Sequence, residues 1–351
     1  MTAESAMPHT LRRSCRLAMA FVLAAAAQTG AAWAQTPAEF YKGKTINLFV
    51  AVSPGGIYST FGMILAEHMQ KHVPGNPSIV VQHKPGAGGS VAVAYVYNVA
   101  PKDGTAVITP NSGIALRIVL GIDKAVYDPS KFTWIGGWGE AVSVLSLRKE
   151  ITPVRSLQEA KEKEVILGAI GKSSFPYLVP AMINNTLGTK FKIITGYRGG
   201  SQIRLAIEKG EVQGWSGQWE GWKIGRPDWV RDDKLVHLVQ LASKPSPDLR
   251  DVPQLSAFAR NAEEKRMFSL VQTGIADRGM AVPPGVPEDR VAALREAYQK
   301  TLRDPDFVKD AAARTFEIDP IPGEEIQKYI SDVMNSTTEE IARMKKAMGL
   351  E

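Results

Sequence analysis

Glycine-rich turns that follow apolar strands constrain this fold more than any other feature of the sequence. The apolar run at residues 45–52 leads directly into SPGGIYS at residues 53–59, and the run at residues 78–82 leads into KPGAGGS at residues 84–90. Each turn is followed by a segment with helical periodicity. Unpaired backbone N–H groups and the positive end of the helix dipole meet at such a turn and form a small anion site.

Two shorter turns repeat this pattern later in the chain. GKSS occupies residues 171–174 and YRGGS occupies residues 197–201, and both follow apolar runs. The glycines have an alternative interpretation, in which they only permit tight turns with positive φ. Their shared place after apolar strands, beside hydroxyl donors such as Ser59, Ser173 and Ser174, favours a site for a small negatively charged molecule.

Strands and helices alternate along most of the chain. Residues 45–52 form a continuous apolar run, as expected for a strand covered on both faces. The next segment places Phe61, Leu65 and Met69 on one helical stripe. Repeated alternation of this kind predicts an α/β fold built on parallel, doubly wound sheets.

Composition changes near residues 138–141 and 271–277 predict two lobes. We expect residues 35–140 and 271–351 in the first lobe and residues 141–270 in the second, joined by a hinge that the chain crosses twice. Hinged lobes close around ligands, and ligands of such sheets bind outside the carboxyl ends of the strands.

The first 34 residues predict export. A basic stretch at residues 12–16 precedes the apolar run 17–27, and Ala32-Trp33-Ala34 supplies a small-x-small cleavage pattern before Gln35. The apolar run is too short for a membrane anchor, so we predict a cleaved signal peptide and a periplasmic protein. Sec and twin-arginine export both stay open. Cys15 leaves with the signal peptide, so no disulfide or thiolate chemistry is expected.

Charge and loop spacing argue against nucleic acid and nucleotide ligands. The 42 Lys and Arg and 36 Asp and Glu residues are dispersed along the chain, without a basic cluster. The sequence GAIGKSS at residues 168–174 resembles a phosphate-binding loop but is two residues shorter than GxxxxGK[ST]. No nucleic-acid partner and no cofactor are expected.

Catalytic and metal motifs are incomplete. The sequence GWSGQ at residues 214–218 has Gln218 where a nucleophile elbow requires glycine. His68 and His72 lie one helical turn apart, but Met69 stands where a zinc protease carries glutamate. We therefore expect neither an enzyme nor a metal site. An exported ester hydrolase stays an alternative, which a His–acid pair beside Ser173 or Ser216 would favour.

Tryptophans cluster after the apolar strand that leads to Gly214. Trp215, Trp219 and Trp222 follow it closely. Aromatic rings at a cleft cover apolar ligand bodies, whereas the alternative is packing within the lobe. Trp215 is the candidate for ligand contact.

Four longer segments together carry a family resemblance. They are VVQHKPGAGGSVAVAYVYNVAPKDGTAV at residues 80–107, FTWIG at 132–136, YRGGSQIRLAIEKGEVQG at 197–214 and AVPPGVPEDRVAALREA at 281–297. With SPGGIYS, they resemble the extracytoplasmic solute receptors of tripartite tricarboxylate transporters, called TctC or Bug proteins. The resemblance implies a type II periplasmic-binding-protein fold, a small carboxylate ligand, and two membrane partners, one large and one small subunit. We expect a monomer. A ligand-binding sensor for a membrane signalling protein stays open as an alternative.

The resemblance also implies that backbone N–H groups and hydroxyls of the turns hold the ligand, often through water. The predicted ligand contacts are Gly55, Gly56, Ile57, Tyr58, Ser59, Gly88, Ser112, Gly171, Lys172, Ser173, Ser174, Tyr197, Gly199, Gly200 and Trp215.

Three positions depart from the family pattern. Ser59 stands where relatives usually have aspartate, Met63 where they carry arginine, and Gln213 where aspartate is frequent. An aspartate facing the cleft suits an ammonium group and repels a second carboxylate. Its absence predicts a carboxylate ligand without a free amine.

Overall fold

The strands of the protein form two separate sheets. The computed structural model describes residues 35–55, 57–110, 113–124, 126–272 and 274–351, so the predicted signal peptide lies outside the described residues. The strands are β1 (Thr45–Val50), β2 (Ser78–His83), β3 (Ala106–Thr109), β4 (Thr133–Gly137), β5 (Ser143–Arg148), β6 (Val165–Gly168), β7 (Phe191–Ile194), β8 (Gly214–Gln218), β9 (Leu235–Leu241), β10 (Gly279–Val282) and β11 (Ile321–Pro322).

The first sheet has the order β11-β4-β10-β3-β1-β2, and the second has the order β7-β6-β8-β5-β9. In the first, β1 pairs in parallel with β2 and β3; in the second, β6 pairs in parallel with β7 and β8. The predicted α/β class is therefore confirmed. The sheets are mixed rather than wholly parallel, because β10 and β5 pair antiparallel with their neighbours. Both are the first strands formed after the chain passes between sheets, so no local strand–helix–strand crossover imposes parallel pairing on them.

Helices follow most of the strands and cover the sheets. Within the part of the chain that the structure describes, none has the length and apolarity needed to cross a membrane. The helices are α1 (Pro37–Tyr41), α2 (Ile57–Met69), α3 (Ser90–Asn98), α4 (Ile114–Val119), α5 (Glu159–Glu162), α6 (Phe175–Leu187), α7 (Gly200–Glu208), α8 (Trp219–Gly225), α9 (Pro227–Arg231), α10 (Ala262–Val271), α11 (Gly274–Asp277), α12 (Glu288–Arg303), α13 (Pro305–Ala313), α14 (Gly323–Met334) and α15 (Thr338–Met348).

An aromatic cluster fixes the helix that carries the first glycine turn. Phe61 of α2 stacks on Trp138, with ring centroids 3.7 Å apart, and Phe307 and Phe316 contact the Phe61 ring edge-on. All four rings are buried. Trp138 directly follows β4, so this cluster anchors the start of α2 beside the segment that leads to the second sheet.

The two segments that pass between the sheets lie side by side. The Ala141 N–H donates to the Gly274 carbonyl at 3.0 Å, and the Trp138 N–H donates to the Arg278 carbonyl at 3.3 Å. A Cβ atom at position 274 would lie 2.2 Å from the Ala141 carbonyl oxygen, so this approach requires glycine. The chain therefore has a paired connection between its sheets.

The C-terminal helix lies against the second lobe's helices. α14 packs on β4 of the first sheet, whereas α15 packs against α6 and α10. The Asn185 side-chain amide of α6 donates to the Ala347 carbonyl of α15 at 2.9 Å. The predicted lobe boundaries stay a prediction. Residues 338–348 of α15 were predicted for the first lobe, but they contact α6, which was predicted for the second.

Candidate ligand-binding site

The turns after β1 and β2 are joined at the carboxyl edge of the first sheet. The Ser59 hydroxyl lies 2.8 Å from His83 Nε2 and accepts a hydrogen bond from the Gly55 N–H at 3.3 Å. The Lys84 N–H, at the start of the second turn, donates to the Val50 carbonyl at 3.0 Å. The two turns therefore form one surface.

The turns after β6 and β7 are joined in the same way in the second sheet. The Gly196 N–H donates to the Ile170 carbonyl at 3.2 Å, and the Tyr197 N–H donates to the Ala169 carbonyl at 3.4 Å. Since β6 and β7 are parallel neighbours, their glycine-rich turns emerge at the same edge.

Three contacts bring these two edges together. The Gln218 amide, at the end of β8, donates to the Tyr58 hydroxyl at 3.0 Å. Arg117 Nη1 donates to the Ser173 carbonyl at 3.4 Å. The Phe175 ring lies over Gly113, where an added Cβ would come within 2.3 Å of the ring. The carboxyl ends of the parallel strands in one sheet therefore face those in the other.

Two helices begin at this junction without a side-chain cap. α6 starts after Ser174 and α7 starts after Gly199, and neither residue caps its helix by a side-chain hydrogen bond. The Ser174 hydroxyl instead donates to the Gly171 carbonyl at 2.6 Å. In α6 the free first-turn N–H groups are few, because Pro176 has none and the Tyr177 N–H donates to the Ser174 carbonyl at 2.9 Å. The helix dipole at both starts, and the uncapped first-turn N–H groups of α7, favour a negative ligand group.

The predicted contact residues differ in their exposure. Gly56 and Ser112 lie outside the described residues. Gly55, Gly88, Lys172 and Ser173 are exposed, whereas the half-buried residues are Ile57, Tyr58, Gly171, Ser174, Tyr197, Gly199 and Gly200.

Two of the positions that depart from the family pattern have internal roles. Ser59 is fully buried, and its hydroxyl is engaged by Gly55 and His83 as described above. The Gln213 side chain accepts from the Ile166 N–H at 2.8 Å and donates to the Ile151 carbonyl at 2.9 Å. Gln213 directly precedes β8, at the end opposite to Gln218, so its identity does not bear on a ligand at the carboxyl edge.

Trp215 is packed inside the second lobe. Its ring is 7% exposed and contacts Trp222 edge-on, with centroids 5.8 Å apart. Added Cβ atoms at Gly200 and Gly217 would lie 2.7 and 2.2 Å from it. Packing therefore accounts for most of the Trp215 surface, and its predicted ligand contact stays a prediction.

The sequence interpretation missed a polar network beside the Gly88 turn. Arg117 on α4 forms an ion pair with Asp123 at 2.6 Å, and the Ser90 hydroxyl donates to the same carboxylate. Burial alone would raise the pKa of Asp123, but the hydrogen bonds from Arg117 and Ser90 outweigh burial and hold the pKa below its ordinary value. The sequence offers one sign of this network, since Arg117 is the charged residue of the otherwise apolar segment IALRIV.

The residues that were considered as candidates for catalysis or metal binding, as far as the structure describes them, do not form a catalytic pair or a clear metal site. Among the described residues, no histidine is hydrogen-bonded to Ser173 or Ser216, and Ser216 is buried. His72 Nε2 lies 2.8 Å from the Asp304 carboxylate. His68 approaches Glu67 and Asp310 closely enough for the three to share an ion, but Asp310 also accepts from Arg314 at 2.9 Å. An arginine at the same carboxylate disfavours a second cation there.

Two α/β lobes whose strand ends face each other across a paired connection define the two-lobed class of solute-binding proteins. Comparison with known proteins agrees with this class. The family model described as the tripartite tricarboxylate transporter family receptor, TctC, matches residues 63–346. The chain belongs to this family, as its sequence resemblance predicted.

Individual relatives are distant in sequence. A UPF0065 protein in the gbd 5' region of Cupriavidus necator is 24% identical over 323 residues, covering 88% of this chain and 90% of that protein. A TctC solute-binding protein from Polaromonas superposes with a TM-score of 0.67 at 20% identity, covering 89% of this chain and 100% of the other. MatC from Rhodopseudomonas palustris, solved with bound malate, superposes with a TM-score of 0.60 at 21% identity, covering 83% and 98%.

Proposed function

We propose that this chain is an exported, periplasmic solute-binding protein that captures a small organic carboxylate between its lobes. It then delivers the carboxylate to the large and small membrane subunits of a tripartite tricarboxylate-type transporter. Membership of the receptor family supports the transport role. The N-terminal basic and apolar segments support export.

One observation carries the ligand assignment. Tyr58 in the turn after β1 contacts Gln218 at the end of β8, and Arg117 of α4 contacts Ser173 in the turn after β6. α6 begins directly after that second turn and α7 begins after the neighbouring turn, both without side-chain caps. Backbone N–H groups at helix starts bind carboxylate oxygens. A carboxylate held by turns from both lobes would favour the closed arrangement over the open one, because only the closed arrangement offers both sets of donors.

The nature of the donors supports a carboxylate rather than a cation. The turns offer N–H groups, the hydroxyl of Ser173 and the ammonium group of Lys172. MatC, which has a similar fold, was solved with bound malate, and malate is a small carboxylate of the class proposed for this chain. Binding without turnover is proposed because the family is one of receptors, and because Ser173 and Ser216 have no histidine partner among the described residues.

Thermal unfolding with a panel of mono-, di- and tricarboxylates tests the proposal. A ligand at 100 times its Kd stabilises the folded protein by about 2.7 kcal/mol, which is readily detected. The true ligand then titrates in a calorimeter as one site per chain. Absence of stabilisation by every carboxylate would contradict the proposal, and hydrolysis of carboxylate esters would favour the hydrolase alternative instead.

Two glycines allow a sharp test of the site. An added Cβ at Gly171 or Gly199 meets no atom within 4 Å, and neither position has a φ in the left-handed region; Gly199 has extended backbone, with φ of 167°. Gly171→Val and Gly199→Val should therefore fold normally while blocking the ligand's approach to the backbone. We expect each to weaken binding at least tenfold, or about 1.4 kcal/mol. Unchanged affinity in both variants, with unchanged thermal midpoints, would place the ligand elsewhere.

A further inference from the structure

Arg204 of α7 occupies a slot that three glycines leave open. A Cβ atom added at Gly225 would lie 2.3 Å from Arg204 Nε. A Cβ atom added at Gly200 or at Gly221 would lie 3.2 or 3.7 Å, respectively, from Arg204 Nη1. Arg204 follows Gly200 by four residues, so the two lie on the same face of α7. Nη1 therefore points along the helix towards its uncapped start.

The Arg204 guanidinium has no counter-charge in the part of the chain that the structure describes. The guanidinium carbon of Arg204 lies over the face of the Trp215 ring, 5.8 Å from the ring centroid. The nearby Arg226 is satisfied, because it pairs with Glu208 at 2.9 Å and with Asp228 at 2.8 Å. Burial lowers the pKa of Arg204, and repulsion from Arg226 lowers it further. A half-buried cation without an anion destabilises the ligand-free fold.

The surroundings of Arg204 offer donors. The first-turn N–H groups of α7 lack a side-chain cap. Trp215 is 7% exposed, and its buried Nε1–H has no hydrogen-bond partner among the described residues. The edge of the ring next to Nε1 faces Gly200 and Gly217. Donors of this kind around one guanidinium suit a planar anion that accepts several hydrogen bonds.

We propose that Arg204 determines specificity by binding the second carboxylate of a dicarboxylate ligand. This inference rests on the proposed function. The first carboxylate lies at the start of α6, beside Gly171, and the turn that leads into α7 is its direct neighbour through the Gly196–Ile170 hydrogen bond of 3.2 Å. Backbone N–H groups donate to the oxygens of any carboxylate, whereas the guanidinium fork selects ligands that carry a second carboxylate.

The test compares two probes that share a carbon chain, succinate and butyrate, on Arg204→Leu. We expect the variant to bind succinate at least tenfold more weakly than the unmodified protein does, about 1.4 kcal/mol, and butyrate within twofold. The ligand-free variant should also unfold at a higher temperature, because the unpaired charge is gone. A purely structural role for Arg204, stacked on Trp215, predicts a lower unfolding temperature and equal losses for both probes.

A matched control removes a neighbouring charge from the turn that leads into α7. Arg198 is exposed, so Arg198→Leu should change succinate affinity less than twofold. Equal losses in the two variants, or no loss in Arg204→Leu, would overturn the inference.

A second probe separates this inference from the proposed function. If no carboxylate binds the unmodified protein, the proposed function fails. Inorganic sulfate then probes Arg204 directly, because its binding needs only an anion site. Thermal stabilisation by sulfate that is lost in Arg204→Leu and kept in Arg198→Leu would support an anion site at Arg204. Lack of any sulfate effect would overturn it.

Discussion

A buried ion pair joins a helix of the second lobe to the chain that returns to the first sheet, and its removal gives a strong prediction. Glu220 lies on α8, and Arg278 directly precedes β10. Arg278 Nη2 and Glu220 Oε2 are 2.7 Å apart, with side chains 5% and 7% exposed. These atoms approach closely without forming a well-directed hydrogen bond. The attraction is therefore carried by charge.

The expected cost follows from burial. Removing one partner of a buried pair costs about 3–5 kcal/mol, because the remaining charge stays buried without compensation. Glu220→Gln keeps the shape and one acceptor oxygen, so we expect the lower end, about 3 kcal/mol of unfolding free energy. Replacing both partners, as Glu220→Leu with Arg278→Met, removes both buried charges and should leave stability within about 1 kcal/mol of the unmodified protein.

Urea unfolding, followed by tryptophan fluorescence and circular dichroism, measures these differences. Coincident transitions from the two probes would show that the lobes unfold together. A Glu220→Gln variant within about 1 kcal/mol of the unmodified protein would refute the reasoning. So would a double variant that is less stable than either single variant.

Three further predictions concern pH, the lobe contact and one turn. Burial, with a smaller effect of Lys149, lowers the pKa of His237 to about 4, whereas the unfolded chain protonates near pH 6.5. The neutral His237 therefore has no effect on stability well above that pH, whereas at pH 5 the free energy of unfolding is lower by about 2 kcal/mol. His237→Gln should lack this part of the loss when urea unfolding at pH 7.5 is compared with urea unfolding at pH 5. Tyr58→Phe removes the acceptor for Gln218 and should weaken ligand binding by about 1 kcal/mol in calorimetry, while equal affinity would show that this contact does not contribute. Gly113 has φ of +69° and lies under the Phe175 ring, so Gly113→Ala should cost about 1–3 kcal/mol of thermal stability; an unchanged midpoint would contradict the strain.

The candidate site was predictable only in part from the chain. The turns could be found because glycine strings after apolar runs are local patterns, and the structure joins the turns within each sheet through hydrogen bonds such as Gly196–Ile170. Arg117, Gln218 and Arg204 were not predicted as site residues. Their partners are distant in sequence or, for Arg204, are glycine backbones without side chains to reveal the slot.

The sequence by itself determined the α/β class, the family and the positions of the glycine turns, because alternation, spacing and glycine content are properties of neighbouring residues. Only the tertiary structure decided which parts of the two sheets meet, since the Tyr58–Gln218 contact joins the turn after β1 to the end of β8. It also decided that Ser59 and Gln213 serve internal hydrogen bonds. The direction of β5 and β10 was decided there as well, because a strand formed after a passage between sheets takes its orientation from distant partners.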